Sequence, residues 1–191
     1  MLASNALIAP FYLPDSFLNL VNSSSFPWCY VHRSTSEGLS FMGHTLVHRK
    51  DEDTWSPNSP YWPVVYRAFV QFCEQNHILF TSIERCAMNL TFEKCGRISS
   101  DAHVDKTSPH KVLIVYLNSD CTGDTVIYKD KYEPGSSGVA FYGTEEFNAM
   151  QEVGRVSPER NKAVLFDGAN YHAAEFPSAG QRRIVLVMNF L

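Results

Sequence analysis

The sequence predicts a mainly β protein, a cupin-like double-stranded β-helix (jelly roll) with flanking helices. From residue 78 onward, short β-prone segments follow one another, separated by turns that contain Gly, Pro, Asn or Asp. Strands of this length and spacing are typical of sandwiches and barrels. The N-terminal third instead contains helix-like segments, which we expect to cover one face of a sheet. We therefore expect one domain over 1–191, with supporting elements in 1–80 and the jelly-roll core in 81–191.

The N-terminal elements follow from local signals. An apolar run at 6–13 predicts a strand, and Pro14 followed by Asp15 gives a stop and an N-cap for a helix. Apolar residues at 65, 69 and 72 recur with helical spacing and predict a helix against a sheet. The predicted elements, in order, are a strand at 6–13, a helix at 16–21, β-prone segments at 26–31 and 41–48, a loop at 49–63 and a helix at 64–76.

The remaining elements are all predicted as strands, because short β-prone runs alternate with turn residues. They are placed at 83–92, 111–117, 125–129, 135–143, 153–156, 162–166 and 182–191. The connections at 49–63 and 130–150 carry no recognisable motif. We expect these two connections to determine which substrate is bound.

Charge and cysteine content exclude several functional classes. The net charge is −4 without a basic stripe, so no nucleic-acid partner is expected. The five cysteines are odd in number and form no CxxC pair, which favours reduced thiols in the cytoplasm over a disulfide framework or a zinc site. No apolar stretch reaches the roughly 18 residues of a membrane span, so no membrane association is expected. The oligomeric state is left open.

The strongest chemical signal is the triplet His103-Val104-Asp105, in front of the predicted strand at 111–117. Side chains two apart on an extended segment point to the same side, so this His and this Asp can converge on one ion. A second histidine, His172, follows the strand-like run at 163–166. Two histidines and one carboxylate form the facial triad of non-haem Fe(II), which leaves three coordination positions open.

With these features, the sequence resembles the Fe(II)/2-oxoglutarate-dependent oxygenase superfamily. It is most similar to the prolyl-hydroxylase-like branch and to small members from phages and marine microbes. The resemblance covers about residues 80 to 191 well. The matching segments are His103-Val104-Asp105, Val115-Tyr116-Leu117-Asn118, Gly123-Asp124-Thr125-Val126, Val164-Leu165-Phe166-Asp167-Gly168 with His172, and Arg183 with Asn189-Phe190.

The resemblance implies a dioxygenase that hydroxylates an aliphatic C–H group, with a peptidyl proline as the leading substrate class. It implies that His103, Asp105 and His172 bind Fe(II), that 2-oxoglutarate is the co-substrate, that O2 is the oxidant and that ascorbate supports turnover. Peptides or small molecules are the expected partners, in the cytoplasm of a microbial or phage-infected host cell. Two alternatives stay open: a non-catalytic metal-binding jelly-roll module, and a cupin-type metalloenzyme that does not use 2-oxoglutarate.

A basic residue on the last strand of the family pairs with the distal carboxylate of 2-oxoglutarate, a contact that suits the guanidinium fork. Arg182 and Arg183 must point to opposite faces of that strand. Apolar residues follow on both faces, so burial does not separate them. The spacing to the terminal Asn-Phe selects Arg183, whereas a Gly-x-Arg pattern selects Arg182, and the longer match favours Arg183.

Other polar residues receive weaker assignments. Asn89 resembles an asparagine that other members use for the co-substrate, because Val115 stands where some prolyl hydroxylases have a tyrosine. Tyr116 is expected to pack on the outer face, and Asp101 lies out of register with the metal motif. His44 and His48 would form a metal pair only on a helix, which their β-prone neighbours disfavour. The roles of these two histidines stay open, and so does that of His110, which is expected to be a solvated loop residue or a support for the site.

Overall fold

The computed structural model describes residues 6–32, 39–48, 57–135 and 140–191. The helices are α1 Asp15–Val21, α2 Trp62–Gln75 and α3 Glu145–Ala149. The strands are β1 Leu7–Pro10, β2 Cys29–Val31, β3 Phe41–Val47, β4 Ile83–Phe92, β5 Ala102–His103, β6 Lys111–Tyr116, β7 Thr125–Lys131, β8 Ala140–Phe141, β9 Glu152–Val156, β10 Lys162–Asp167, β11 Asn170–Ala174 and β12 Arg182–Phe190. All the pairings between these strands are antiparallel.

Two sheets make up the jelly roll. The larger sheet has the order β1-β10-β6-β12-β4-β3-β2, and the smaller sheet has the order β8-β5-β11-β7-β9. Sequence-distant strands are neighbours in both sheets, so the last strand, β12, lies in the middle of the larger one. The mainly β, two-sheet architecture that the sequence predicts is confirmed.

The larger sheet is buried on both faces because its central strands alternate between two apolar environments. On β12, Ile184, Leu186 and Met188 belong to the core formed with the helices. The helices contribute Phe17, Leu18, Phe69 and Phe72 to this core. The residues between them on β12, such as Val185 and Val187, face the smaller sheet. This alternation leaves one face of the strand available for a site between the sheets.

An apolar cluster fills the space between the sheets where β6 and β10 of the larger sheet face the smaller one. Its members include Val112, Ile114, Tyr116, Ile127, Val164 and Phe166. Beside this cluster, towards β12, β4 and β3, the sheets enclose a cavity instead. The outer face of the smaller sheet is covered by α3, where Phe147 and Met150 pack near Tyr128 and Tyr171.

The predicted boundaries agree closely with the structure for most strands, and β4 spans the predicted residues 83–92. The strand predicted at 135–143 is shorter, since only Ala140–Phe141 is strand and residues 136–139 lie outside the described residues. The helix α3 follows instead, because Thr144 Oγ1 accepts a hydrogen bond from the backbone N–H of Phe147 at 3.3 Å and caps it. The strands β5 and β11 were not among the strands predicted from the sequence. Among the described residues, no helix is long and apolar enough to cross a bilayer.

Asn118 connects the loop after β6 to the start of β12. Its Oδ1 accepts a hydrogen bond from Ile184 N–H at 2.9 Å, and its Nδ2 donates to the carbonyl of Arg182 at 2.8 Å. Asn118 is 3% exposed, so water cannot readily replace these contacts.

We therefore predict that Asn118→Ala lowers the free energy of unfolding by about 1–3 kcal/mol, since it leaves the buried N–H of Ile184 without its acceptor. Urea denaturation measures this loss. The exposed Asn148 provides the matched control, and Asn148→Ala should change the free energy of unfolding by less than about 0.5 kcal/mol. Equal stability of the two variants would contradict the role given to Asn118.

Candidate active site

A cavity of about 530 Å³ lies between the two sheets. Strands β3, β4 and β12 of the larger sheet form one wall, and β7, β11 and the segment around β5 form the other. All five residues selected from the sequence line it: Asn89, His103, Asp105, His172 and Arg183. The cavity therefore brings together residues that are up to 94 positions apart in the chain.

Three of these residues converge at one end of the cavity. His103 is the last residue of β5 and pairs directly with His172 on β11, and Asp105 follows in the bend after β5. One ligand atom from each of the three residues lies within 4.8 Å of the others. His103 Nε2 and Asp105 Oδ1 are 3.8 Å apart. Two imidazoles and one carboxylate at these separations can hold a divalent metal ion.

Backbone carbonyls orient both imidazoles. His103 Nδ1 lies 2.9 Å from the carbonyl oxygen of Asp101, and His172 Nδ1 lies 3.4 Å from that of Asn170. Because a carbonyl can only accept, each Nδ1 carries the proton and each Nε2 keeps a lone pair for a metal. The ring of Phe166 contacts His172 edge-on at 5.1 Å between centroids. These contacts fix the tautomers without a metal.

Burial and neighbouring charges set the protonation of the cluster. Burial and the neighbouring His103 lower the pKa of His172 to about 4, against the opposing effect of Asp105. Burial raises the pKa of Asp105, but His172, His103, Arg85 and the hydrogen bond from Asn189 together hold it below its usual range. At neutral pH, His172 is therefore a neutral donor and Asp105 an anion, which are the forms that bind metal.

Two contacts of neighbouring residues fix the bend that carries Asp105. Asn189 Nδ2, on β12, donates to Asp105 Oδ2 at 2.8 Å. The next residue, Lys106, forms an ion pair of 3.0 Å with the buried Glu84 of β4. Asp101, which was predicted to lie out of register with the metal motif, is paired with Arg97 at 2.7 Å and contributes its carbonyl to the site.

Arg183 lies on the cavity-facing side of β12 and is only 2% exposed. Its Nε donates to the carbonyl of Gly123 at 2.7 Å, and its Nη2 donates to Thr125 Oγ1 at 2.8 Å. Among the described residues, no carboxylate lies within ion-pair distance of this guanidinium. A buried cation without a counter-ion is costly, so the cavity is electrostatically suited to an anion at this end.

Gly123 is needed for this arrangement. Its φ of +98° is in the region that favours glycine, and a Cβ at this position would come within 3.2 Å of the Arg183 side chain. Arg182, by contrast, points to the opposite face, where its Nη2 donates to the carbonyl of Asn22 at 2.6 Å after α1. The two adjacent arginines therefore face different environments, as the period of a strand requires.

The predicted direction of the Tyr116 side chain is wrong. This residue was expected on the outer face, but its ring is fully buried between the sheets and lies 5.4 Å from the Arg183 guanidinium carbon. Its hydroxyl lies 2.6 Å from Thr125 Oγ1 and 2.7 Å from the carbonyl of Val156. Burial raises the pKa of Tyr116 against the opposing charge of Arg183, so the phenol stays protonated and supports the Thr125–Arg183 pair.

The expectation that His110 is solvated is also wrong. His110 is 6% exposed, and its Nδ1 lies 2.8 Å from the carbonyl of Ser108. Its ring occupies the space next to Gly168, where any Cβ would clash with the imidazole. His110 thus packs against the turn between β10 and β11, and it does not line the cavity.

His44 and His48 do not form a helical metal pair, because Phe41–Val47 is a strand and His48 follows it. His44 is held by the carbonyl of Pro27 at 3.0 Å and by Ser59 Oγ at 2.8 Å.

Asn89, on β4, lines the cavity, and its buried Oδ1 has no hydrogen-bond partner in the described part of the chain. It is therefore a candidate contact for a bound molecule.

No protein-family model matches the chain, and no curated protein matches it. Solved structures do match over almost its whole length. An oxidoreductase of the 2OG-Fe(II) oxygenase family from Burkholderia pseudomallei has a TM-score of 0.61 at 16% identity, covering 97% of this chain and 85% of that chain. The epimerase SnoN, in complex with Fe3+, alpha ketoglutarate and nogalamycin RO, has a TM-score of 0.60 at 11% identity, covering 98% and 78%.

A prolyl hydroxylase from Trichoplax adhaerens, in complex with a peptide fragment of the hypoxia inducible factor oxygen degradation domain, also matches. Its TM-score is 0.53 at 12% identity, covering 99% of this chain and 84% of that chain. At these identities the similarity establishes a shared fold. The jelly roll predicted from the resemblance to 2-oxoglutarate oxygenases is thereby confirmed.

We predict that His172→Ala weakens the binding of Co(II), used as a redox-stable probe, by more than the roughly 10- to 100-fold that follows loss of an outer hydrogen-bond partner. Equilibrium dialysis measures the affinity. The exposed His77, which has a positive φ that asparagine tolerates, supplies the control His77→Asn. Equal Co(II) affinity in wild type and His172→Ala would refute a site built on this residue.

Proposed function

We propose that this protein is an Fe(II)- and 2-oxoglutarate-dependent dioxygenase that hydroxylates an aliphatic C–H group. The observation that carries the proposal is the pairing of two features in one cavity. A His-Asp-His cluster that can hold a divalent metal stands at one end, and Arg183 stands at the other as a buried cation without a carboxylate among the described residues. The shared fold with 2OG-Fe(II) oxygenases supports the same assignment.

Strand register relates the two ends of the cavity. On the smaller sheet, His172 pairs with Ile127 and Ala174 pairs with Thr125, the residue that accepts from Arg183. The metal cluster and the Arg183 contact are thus two residues apart along β7, or about 7 Å. A short dicarboxylate with a 2-oxo acid at one end suits this spacing, because the oxo acid can chelate a metal while the distal carboxylate meets the guanidinium.

The donor set fits Fe(II). His103 and His172 would supply imidazole nitrogens and Asp105 a carboxylate oxygen, and such a triad leaves three positions open. When bound, Fe(II) supplies the oxidative chemistry, in which 2-oxoglutarate, O2 and R–H become succinate, CO2 and R–OH. The chain's own residues bind and orient: Arg183 and Thr125 hold the distal carboxylate, and we assign Asn89 to a further contact with the co-substrate.

The same features weigh against the two alternatives. A structural metal site normally has a closed coordination sphere, whereas the described residues bring together three ligands and leave a cavity beside them. A cupin-type metalloenzyme that does not use 2-oxoglutarate has no need for a buried guanidinium facing the metal. The Arg183 environment therefore favours a carboxylate-bearing co-substrate.

The substrate is the finer part of the proposal, with a peptidyl proline as the leading class. The prolyl hydroxylase from Trichoplax adhaerens binds a peptide, which supports testing peptides first. SnoN is an epimerase with a small-molecule partner, so the same fold serves other outcomes and other substrates. Apolar residues in the lining of the cavity, including Phe41, Val47 and Phe176, offer a surface for an aliphatic group.

Turnover tests the proposal directly. The protein, loaded anaerobically with Fe(II), is mixed with O2 and 2-oxoglutarate, with and without ascorbate, across proline-containing peptides and small metabolites. Succinate formation identifies oxygenase activity, and a gain of one oxygen atom in a substrate identifies hydroxylation. Iron-loaded protein that forms no succinate with or without any tested substrate would shift the assignment to a non-catalytic binding module.

We predict that Arg183→Ala weakens 2-oxoglutarate binding by several hundredfold or more, because loss of a buried charge partner costs about 3–5 kcal/mol. Arg182→Ala, the matched control, removes the same side chain from the opposite face and should change this affinity little. Titration of the Fe(II) protein with 2-oxoglutarate under anaerobic conditions measures both. The reverse order of effects would show that Arg182 is the co-substrate residue.

A further inference from the structure

Asn189, on β12, donates a hydrogen bond to Asp105. Its Nδ2 lies 2.8 Å from Asp105 Oδ2, and the residue is fully buried. The other carboxylate oxygen, Oδ1, is the one that faces the histidines, at 3.8 Å from His103 Nε2. Arg85 Nη1 also lies 4.0 Å from Oδ1. The two oxygens of the carboxylate are therefore in different environments: Oδ2 is hydrogen-bonded to β12, and Oδ1 faces the histidines and Arg85.

The carboxylate dictates the orientation of the Asn189 amide. Asp105 Oδ2 accepts the hydrogen bond from Asn189 Nδ2, so the NH2 group faces the carboxylate and the amide oxygen faces away. This orientation leaves the amide oxygen unsatisfied, because Asn189 Oδ1 is buried and has no hydrogen-bond partner in the described part of the chain. An unsatisfied buried acceptor costs about 1–3 kcal/mol.

Packing alone does not explain an asparagine here. The neighbouring cavity-facing residues of β12, Val185 and Val187, are apolar, and Phe190 next to Asn189 belongs to the helix-side core. A leucine is close to asparagine in shape and would avoid the orphaned oxygen. The amide is therefore retained for its donor, and the only described acceptor of that donor is Asp105.

We propose that Asn189 is a positioning residue that holds Asp105 in monodentate coordination through Oδ1. This inference rests on the proposed function, because monodentate binding keeps three positions open at the metal. Without the hydrogen bond from Asn189 to Oδ2, the carboxylate can rotate and bind through both oxygens, which closes one of those positions. A 2-oxo acid chelate needs two open positions and O2 needs one, so a second carboxylate oxygen competes directly with them.

The inference links the two ends of the cavity through a single strand. Arg183 and Asn189 are six residues apart on β12 and therefore face the same side. Arg183 is placed to meet the distal carboxylate of the co-substrate, and Asn189 fixes the metal carboxylate at the other end. The strand β12 thus carries both the residue that would anchor the co-substrate and the residue that would determine how many coordination positions of the metal stay open.

The test uses Asn189→Leu, loaded anaerobically with Co(II) or Fe(II). The visible absorption of the Co(II) protein without co-substrate should change, because the coordination number changes when the carboxylate binds through both oxygens. Affinity for Co(II) should be retained or increase. Affinity for 2-oxoglutarate, measured from the charge-transfer absorption of the Fe(II) complex, should fall by about 10- to 100-fold.

Two further variants separate the possible causes. Asn118→Ala removes a buried amide that is hydrogen-bonded to Arg182 and Ile184 and to none of the three metal ligands, so it should leave the Co(II) spectrum unchanged, which controls for general destabilisation. Arg183→Ala should weaken 2-oxoglutarate binding without altering the Co(II) spectrum recorded in the absence of co-substrate. Only Asn189→Leu is expected to change both.

An unchanged Co(II) spectrum together with unchanged 2-oxoglutarate affinity in Asn189→Leu would overturn the inference. If that variant does not fold, Asn189→Asp serves instead, since it places a second carboxylate against Asp105 and must change the Co(II) spectrum if this contact controls coordination. Failure of the wild type to bind 2-oxoglutarate would overturn the proposed function, while the Co(II) spectra would still decide whether Asn189 controls the metal carboxylate.

Discussion

The period-two alternation of β12 is the constraint on which the rest of the site depends. This strand lies between β4 and β6 in the centre of the larger sheet, with every residue from Arg183 to Phe190 buried. One set of side chains packs against the helices, so the other set must face the smaller sheet. A slip of one residue would exchange the two sets and place a guanidinium in the helix-side core. The apolar packing of the helices therefore fixes the position of the polar residues in the cavity.

The polar groups at the two ends of the cavity, the His-Asp-His cluster and Arg183, are suited to bind a metal ion and an anion. Asp105 and the imidazoles of His103 and His172 form a cluster of metal-ligating groups, and Arg183 supplies a buried positive charge on the same strand that supports Asp105. These groups lie between sheets whose remaining contacts are largely apolar, which strengthens electrostatic interactions. Metal and dicarboxylate would each neutralise one part of this arrangement. A site of this kind gains most from binding both.

The sequence predicted those features that follow from spacing within one strand. The triplet at His103 and Asp105 needs only extended backbone, and the opposite directions of Arg182 and Arg183 need only a strand. The apolar pattern could not decide which arginine faces inward, because apolar residues follow on both faces, and only the spacing to the terminal Asn-Phe favoured Arg183. The structure separates them by a long-range contact, since Arg182 reaches the carbonyl of Asn22 after α1.

Other features depended on tertiary contacts that leave no local signal. Tyr116 faces inward because β6 pairs with β12, where Tyr116 lies opposite the inward-facing Val185. The sequence prediction judged its direction from the position of a neighbouring motif and gave the wrong face. His110 is buried because Gly168 leaves room for its ring. The strand β11, with the sequence Asn-Tyr-His-Ala-Ala, has little intrinsic β-propensity and is held by its pairing with β5 and β7. Asn189 was visible only as part of a motif, and its contact with Asp105 appears only in three dimensions.

Under the proposed function, one cavity would bind a metal-chelating oxo acid whose distal carboxylate meets Arg183. The most direct test compares 2-oxoglutarate with 2-oxopentanoate, which has the same oxo acid and chain length but lacks that carboxylate. The two are titrated into the Fe(II) protein and into Arg183→Ala under anaerobic conditions. The account predicts that wild type prefers 2-oxoglutarate by about a hundredfold or more, as expected for about 3 kcal/mol, and that the preference largely disappears in the variant. Equal affinity of the wild type for the two acids, or an undiminished preference in Arg183→Ala, would contradict it.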